Sequence, residues 1–276
     1  MLVAGCDLGS VTGKAVIMED ESILSSSVVP STMVPEKTGL KALGEALDKA
    51  GLTSPDDLQY IIGTGYGRQG TSFIHKNMSE ITCHARGAHW LNSDVRTVID
   101  VGGQDCKVIS IDDRGKVVEF VMNDKCAAGT GRFFEVMSRT FGCSLEEFAE
   151  LSLQSDTFIH ITKQCSVFAE SEVITLINKG ADQAEIAAGL VDSIVRRLLA
   201  MVYRVGFSPK LAITGGCAKN EGLVRGMENA LKDKIVRFPD PQIVGALGAA
   251  LYAREMVVDP SENGTSSQNA ESILKS

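Results

Sequence analysis

The amino-acid sequence predicts an α/β protein built from two similar halves. Short apolar strands are predicted near the start of the chain at Leu2–Cys6, Lys14–Met18 and Ser22–Val29. The same order of strands recurs at Thr97–Ile99, Lys107–Ile111 and Val117–Val121. In each half a glycine-containing turn follows the first strand, and this recurrence indicates an internal repeat. Helical patterns fill the intervals, and strands that alternate with helices imply a mixed sheet covered by helices.

Three segments carry clear helix signals. Gly51 is a predicted stop for a helix in the first half. Ser144 and Glu147 have the spacing of a capping box, which predicts a helix that continues to about Leu153. A long helix is predicted over residues 183–204. The apolar positions that mark the first and the last of these helices are Leu40, Leu43 and Leu47, and Ile186, Leu190, Ile194, Leu198 and Val202.

Composition bounds the class of protein. The formal net charge is −8 and lysines and arginines do not cluster, which argues against binding to nucleic acid or a membrane surface. The N-terminus has no basic region and meets an acid at Asp7, so it does not resemble a signal peptide. No apolar run approaches the ~20 residues that span a bilayer. The sequence therefore predicts a cytoplasmic protein.

The predicted domains follow from the repeat. Residues 1–92 with 243–257 form the first predicted lobe, and residues 93–242 form the second. The final stretch, residues 258–276, is polar and rich in Ser, Asn and Glu, which predicts a disordered tail.

A candidate phosphate-binding turn follows the first strand. The strand ends in Asp7, and Gly9 lets backbone amides approach an anion. Ser10 and Thr12 offer hydroxyl donors, and Lys14 offers positive charge.

The second half repeats this design in Asp100-Val101-Gly102-Gly103-Gln104-Asp105. We expect Asp7 and Asp100 to oppose each other across a cleft, which suits a hydrated Mg²⁺. A third segment runs from a strand at residues 211–214 into Gly215 and Gly216, where a nucleoside is expected to lie against bare backbone. Each turn alone is typical of a tight hairpin, but three in this order predict nucleotide binding. The chain has neither a P-loop nor a Rossmann fingerprint.

The seven cysteines are widely spaced and include no C-x-x-C pair, so they do not predict disulfides. Cys126 and Cys165 each precede a predicted helix. The N-terminus of a helix stabilises a thiolate, and it would equally stabilise an anionic metal–sulfur cluster. From the residues alone, a buried or merely reactive thiol remains the alternative.

The segments around these cysteines resemble those of a known family. Residues 100–105, 123–133 and 165–174, together with 214–220 and 241–251, are similar to the activators of 2-hydroxyacyl-CoA dehydratases. The ATPase subunits of benzoyl-CoA reductases are relatives of that family. The resemblance covers residues 2–254. It implies the duplicated α/β fold of the actin and sugar-kinase superfamily, with two lobes around a nucleotide cleft.

The resemblance also implies site residues. In that family each subunit gives two cysteines to one [4Fe–4S] cluster on the axis of a homodimer, which makes Cys126 and Cys165 the ligands here. The other cysteines, Cys83, Cys106, Cys143 and Cys217 among them, keep a structural interpretation. Asp7 and Asp100 would handle Mg²⁺ through water, and Gln104 or Asp105 would position the attacking water. The residues predicted to bind ATP or ADP are Gly9, Ser10, Thr12, Lys14, Gly102, Gly103, Gln104, Gly129, Thr130, Gly131, Gly215, Gly216, Ala218, Asn220 and Gln242.

The function that the resemblance implies is ATP-driven electron transfer in anaerobic metabolism. Ferredoxin or flavodoxin would charge the cluster, and the electron would pass to a partner iron–sulfur dehydratase or reductase. Two alternatives use the same fold without a cluster: a small-molecule kinase with Asp105 as its base, and a nucleotide-dependent switch or assembly protein.

Overall fold

A computed structural model describes residues 1–162 and 165–258 of the chain. These residues divide into two compact units, Met1–Cys83 with the segment that begins at Gly245, and His84–Val244. The divisions that the sequence placed after residues 92 and 242 thus fall after 83 and 244. The division after residue 83 lies inside a helix. Nothing in the local sequence marks the residue at which this helix passes from one unit to the other. The predicted tail, residues 258–276, lies outside the described residues apart from Val258.

The elements follow each other in the predicted α/β order. The strands are β1 (Leu2–Leu8), β2 (Thr12–Glu19), β3 (Ser22–Pro30), β4 (Tyr60–Thr64), β5 (Lys76–Asn77), β6 (Thr97–Val101), β7 (Cys106–Ile111), β8 (Val117–Asn123), β9 (Leu211–Thr214) and β10 (Val236–Arg237). The α-helices are α1 (Pro35–Ala50), α2 (Glu80–Leu91), α3 (Gly131–Phe141), α4 (Leu145–Leu151), α5 (Ser166–Asn178), α6 (Gln183–Arg204), α7 (Glu221–Leu231) and α8 (Val244–Val258). Short 3₁₀ helices cover Pro55–Asp57 and Gly216–Lys219.

The first unit contains a five-stranded sheet in the order β3-β2-β1-β4-β5. Strand β1 is antiparallel to β2 and parallel to β4. Helix α1 covers the sheet, with Leu43 and Leu47 in the core beneath it. This helix begins at Pro35 and ends at Ala50. Gly51 caps it with a φ of 73°, the left-handed conformation that glycine adopts at low cost.

The second unit repeats the same sheet with the order β10-β9-β6-β7-β8. Strand β6 takes the place of β1, because it is antiparallel to β7 and parallel to β9. Helices α3 to α7 contribute to one apolar core with this sheet. The predicted internal repeat is therefore confirmed at the level of strand order and strand direction.

Local helix signals in the second unit were also correct. Ser144 and Glu147 form the reciprocal capping box at the start of α4. Helix α6 begins at Gln183 after Asp182, whose carboxylate accepts from two backbone amides, and it ends at Arg204. None of the helices in the described part of the chain is both long enough and apolar enough to cross a bilayer.

Candidate functional site

The first predicted phosphate turn joins β1 to β2. Asp7 is buried at the end of β1, and its Oδ2 lies 3.1 Å from Nζ of Lys14, its partner in the β1–β2 register. The other carboxylate oxygen, Oδ1, is buried and has no hydrogen-bond partner among the described residues. A buried anionic oxygen without a donor is costly, so a bound donor such as a coordinated water fits this position.

Gly9 shapes this turn. Its backbone N–H donates to the carbonyl of Thr12 across 3.1 Å. A Cβ on Gly9 would lie 3.0 Å from Nζ of Lys14, so the ammonium occupies the space that a side chain would take. Ser10 is exposed and Thr12 is half-buried at the start of β2. The turn therefore combines a lysine ammonium with bare backbone, which is suited to an anion.

The Tyr66-Gly67-Arg68 turn after β4 packs against this first turn. The N–H of Gly67 donates to the carbonyl of Leu8 across 2.8 Å. Gly65 has a φ of 84°, and a Cβ there would lie 2.7 Å from the Leu8 nitrogen. Tyr66 itself is 88% exposed. The sequence assigned no role to this segment, and the structure gives Gly65 and Gly67 the role of supporting the Asp7–Gly9 backbone.

The second predicted phosphate turn joins β6 to β7 and has the same backbone hydrogen bond. The N–H of Gly102 donates to the carbonyl of Asp105 across 3.0 Å. Asp100 is buried at the end of β6, with Oδ2 3.3 Å from Nζ of Lys107. Its Oδ1 accepts from the hydroxyl of Thr214 across 3.0 Å. Unlike Asp7, Asp100 thus has partners for both carboxylate oxygens.

The second turn is bonded directly to the segment that carries Cys126. Backbone N–H groups of Gly131 and Arg132 donate to the carbonyls of Gly102 and Gly103, each across 2.8 Å. Gly131 is also the first residue of α3, so the turn and the helix N-terminus are joined by two backbone bonds. Displacement of this turn would therefore displace the start of α3.

Two residues that were predicted to bind the nucleotide, Gly129 and Thr130, lie within the Cys126 segment and determine its conformation. Gly129 has a φ of 91°, which a residue with a Cβ rarely adopts. Thr130 is fully buried, and its hydroxyl donates to the carbonyl of Ala127 across 2.7 Å. The described contacts of Thr130 therefore hold the loop in shape.

The third predicted segment follows β9. Gly215 has a φ of 84°, its N–H donates to the carbonyl of Pro241 across 2.9 Å, and a Cβ there would lie 2.8 Å from Oδ1 of Asp100. Gly216 is exposed, with the side-chain nitrogen of Gln242 3.7 Å from its Cβ position. The structure thus places Gly215 beside Asp100, and Gly216 beside Gln242.

The remaining predicted residues of the second unit lie near these turns. Gln104 is exposed and next to the half-buried Asp105. Ala218 lies within the 3₁₀ helix after β9. The side chain of Asn220 accepts from the Leu223 amide and caps α7, which is a structural contact.

The two predicted cluster ligands differ in their surroundings. Cys165 is exposed and occupies the N-cap of α5, as predicted. Cys126 is half-buried and precedes α3, as predicted, although the helix itself begins only at Gly131. A turn that contains Gly129, whose φ is 91°, lies between the cysteine and the helix.

Asn123, the last residue of β8, holds the Cys126 loop and was missed by the sequence analysis. Its side-chain nitrogen donates to the carbonyl of Cys126 across 2.7 Å and to that of Ala128 across 3.3 Å. Lys107 was missed as well, although it follows Asp100 at the same spacing that separates Lys14 from Asp7. The repeat was the signal that could have identified it.

The other five cysteines have environments that favour the neutral thiol. Burial raises the pKa of Cys6, Cys83 and Cys217 to about 12, with nearby carboxylates adding to the effect. Burial raises the pKa of Cys106 to about 11, and partial burial raises that of Cys143. Iron ligands must be thiolates, so these five are disfavoured as ligands.

Comparisons with known proteins agree with this architecture. The model of the BadF/BadG/BcrA/BcrD ATPase family matches residues 4–253. The activator of lactoyl-CoA dehydratase from Anaerotignum propionicum is 45% identical over 258 residues, which cover 92% of this chain and 98% of the activator.

Solved structures support the same relationship. The activator of the 2-hydroxyisocaproyl-CoA dehydratase from Clostridium difficile with bound ADPNP has a TM-score of 0.89 and 38% identity, covering 95% of this chain and 98% of that one. A ROK family glucokinase from Streptomyces griseus, in complex with glucose and AMPPNP, has a TM-score of 0.57 and 13% identity, covering 92% of this chain and 100% of that one. The second likeness shows the fold alone.

These matches confirm the predicted resemblance, the fold of the actin and sugar-kinase type, and the prediction of an ATPase. They also agree with the prediction that the chain binds ATP or ADP. The chain belongs to the BadF/BadG/BcrA/BcrD ATPase family.

Proposed function

We propose that this protein is an ATP-dependent activator that passes single electrons to a partner iron–sulfur enzyme of the 2-hydroxyacyl-CoA dehydratase type. The observation that carries the proposal is the pair of backbone bonds from Gly131 and Arg132 to Gly102 and Gly103. They connect a nucleotide-binding turn to the segment of Cys126. Relatives named as dehydratase activators, 40% to 45% identical over nearly their whole length, support the choice of partner class.

The donor set fits an iron–sulfur cluster shared by two copies. A [4Fe–4S] cluster takes four thiolates. Cys165 is exposed and Cys126 is half-buried, whereas Cys6, Cys83, Cys106 and Cys217 are buried. Cys165 is exposed at the N-cap of α5, and the N-terminus of a helix favours an anionic ligand. Two copies related by a twofold axis would supply all four ligands. When bound, the cluster would act as a one-electron carrier.

Exposed apolar side chains near both cysteines support a homodimer. On α5, Val167 and Phe168 are each 64% exposed, immediately after Cys165. On the edge strand β8, which precedes the Cys126 loop, Val118 and Met122 are exposed. Apolar surface of this kind is stabilised when it is covered, and a second copy would cover it while completing the cluster.

The nucleotide would be held by the three glycine-bearing turns. Lys14 would contact a phosphate, and Gly215 and Gly216 would leave room for the nucleoside. Asp7, through the Oδ1 that has no hydrogen-bond partner in the described part of the chain, would accept from a water on Mg²⁺, with Asp100 as the equivalent acid of the second turn. The ion would neutralise charge on the phosphates. The electron donor would be ferredoxin or flavodoxin, and the benzoyl-CoA reductase subunits remain the related alternative.

Anaerobic purification tests this proposal. We expect a brown dimer with about four irons per dimer, and we expect Cys126→Ser and Cys165→Ser each to remove the iron while ADP still binds. Cys143→Ser is the matched control, because Cys143 is half-buried and its sulfur lies 3.6 Å from the carbonyl of Ser138. Full iron content in either ligand variant would contradict the assignment. Colourless protein that phosphorylates a sugar would instead identify a kinase.

A further inference from the structure

The repeat places one aspartate–lysine pair in each half of the molecule. Asp7 lies opposite Lys14 in the β1–β2 register, and Asp100 lies opposite Lys107 in the β6–β7 register. Both pairs make close contacts, at 3.1 Å and 3.3 Å. The two turns between these pairs also share their backbone hydrogen bond, from the first glycine to the residue three positions later. The halves can therefore be compared position by position.

The position beside the first glycine carries opposite charge in the two turns. A Cβ on Gly9 would lie 3.0 Å from the ammonium nitrogen of Lys14. A Cβ on the equivalent Gly102 would lie 2.6 Å from Oδ1 of Asp105. In the first half the residue equivalent to Asp105 is Thr12, which has no charge. The first turn thus presents a cation, and the second turn presents an anion.

The two lysines also differ in accessibility and in partners. The side chain of Lys14 is 13% exposed, whereas that of Lys107 is only 1% exposed. Lys107 lies 3.3 Å from Oδ2 of Asp100 and 2.8 Å from Oδ2 of Asp105, so one buried ammonium joins two carboxylates. Asp105 keeps 29% of its side chain exposed. A ligand can reach Asp105, but it cannot reach Lys107 without rearrangement of the turn.

We infer that Lys107 is a positioning residue that holds the Asp105 carboxylate to orient the attacking water, while Lys14 binds the phosphates directly. The inference rests on the proposed ATPase function and assigns different tasks to the two repeated turns. An ammonium that is shared by two buried or half-buried carboxylates fixes both of them, because a buried charge is strongly favoured to stay paired. Correct placement of a water acceptor affects turnover more than it affects binding of the nucleotide.

The test compares Lys107→Met with Lys14→Met in the full-length protein. Both substitutions replace an ammonium with an uncharged side chain of similar length. For Lys107→Met we expect kcat for ATP hydrolysis to fall about 100-fold, as for a misplaced catalytic group, while the Kd for ADP measured by calorimetry changes less than about threefold. For Lys14→Met we expect the Kd for ADP to rise by at least about tenfold, because a charged contact to phosphate is lost.

Asp105→Asn separates positioning from a general structural role. If Lys107 acts on turnover through Asp105 and not through its other partner Asp100, the double variant Lys107→Met/Asp105→Asn has the same kcat as Asp105→Asn alone. The double variant removes the Asp105 carboxylate together with the Lys107 ammonium, so it leaves fewer unpaired buried charges than Lys107→Met. It therefore tests the inference even if Lys107→Met does not fold. A double variant with a lower kcat than Asp105→Asn would overturn the inference. So would a Lys107→Met protein whose Kd for ADP rises as much as that of Lys14→Met.

These measurements need no cluster, so the inference and the proposed function can fail separately. If the wild type hydrolyses ATP but the Lys107→Met and Lys14→Met variants do not change kcat and the Kd for ADP as expected, only the inference is contradicted. Wild-type protein that neither binds nor hydrolyses ATP contradicts the proposed function.

Discussion

Asn123→Asp is a sharp test of how the Cys126 loop is held. The side-chain nitrogen of Asn123 donates to the carbonyls of Cys126 and Ala128 across 2.7 Å and 3.3 Å. Aspartate has the same shape but no donor, so both hydrogen bonds are lost at about 1 kcal/mol each. Repulsion between the carboxylate and the two carbonyl oxygens adds to this loss. We therefore expect the ordered loop to be destabilised by at least about 2 kcal/mol, which corresponds to roughly 30-fold in its opening equilibrium.

The assay is transfer of iron to a chelator under anoxia. If opening of the loop limits release of the cluster, the rate of iron loss should rise about 30-fold in Asn123→Asp, while ADP binding is unchanged. Asn92→Asp is the matched control, because Asn92 uses its side-chain oxygen to accept from the Asp94 amide across 3.0 Å, and aspartate keeps that oxygen. Equal rates of iron loss in Asn123→Asp and the wild type would refute the reasoning.

Two further predictions concern the second unit. Gly215→Ala should lower the free energy of unfolding by about 1–3 kcal/mol, because φ is 84° and a Cβ would lie 2.8 Å from Oδ1 of Asp100. Urea unfolding measures this difference, and a variant as stable as the wild type would contradict the prediction. A hydrogen bond from Arg237 lowers the pKa of Glu221, so this carboxylate contributes stability above its ordinary pKa and loses it as the pH falls through the lowered value. Glu221→Gln should therefore cost up to about 1 kcal/mol at pH 7 and less in acid, since the pair is partly exposed. A cost that stays constant as the pH falls would contradict this prediction.

The sequence alone determined the features that depend on neighbours along the chain. Residues 183–204 form a helix with the predicted ends, and the capping box of Ser144 and Glu147 is present. The sequence also predicted the β-hairpins of both halves, with Asp7 and Asp100 at the ends of their first strands. Hydrophobic periodicity, capping residues and turn glycines act over a few residues, so a linear pattern contains the information.

Only the tertiary structure decided how the candidate site is connected. The sequence does not indicate that Gly131 donates to Gly102 or that Lys107 joins Asp100 to Asp105. Nor does it indicate that Oδ1 of Asp7 has no hydrogen-bond partner among the residues that the structure describes. It predicted a helix after Cys126, but the exact start of that helix at Gly131 became clear only in the structure. These facts depend on which backbone groups and charges meet after the sheet and helices have packed. Burial then decides whether a lysine can bind a ligand or can only hold a neighbouring carboxylate, and burial is a property of the folded chain.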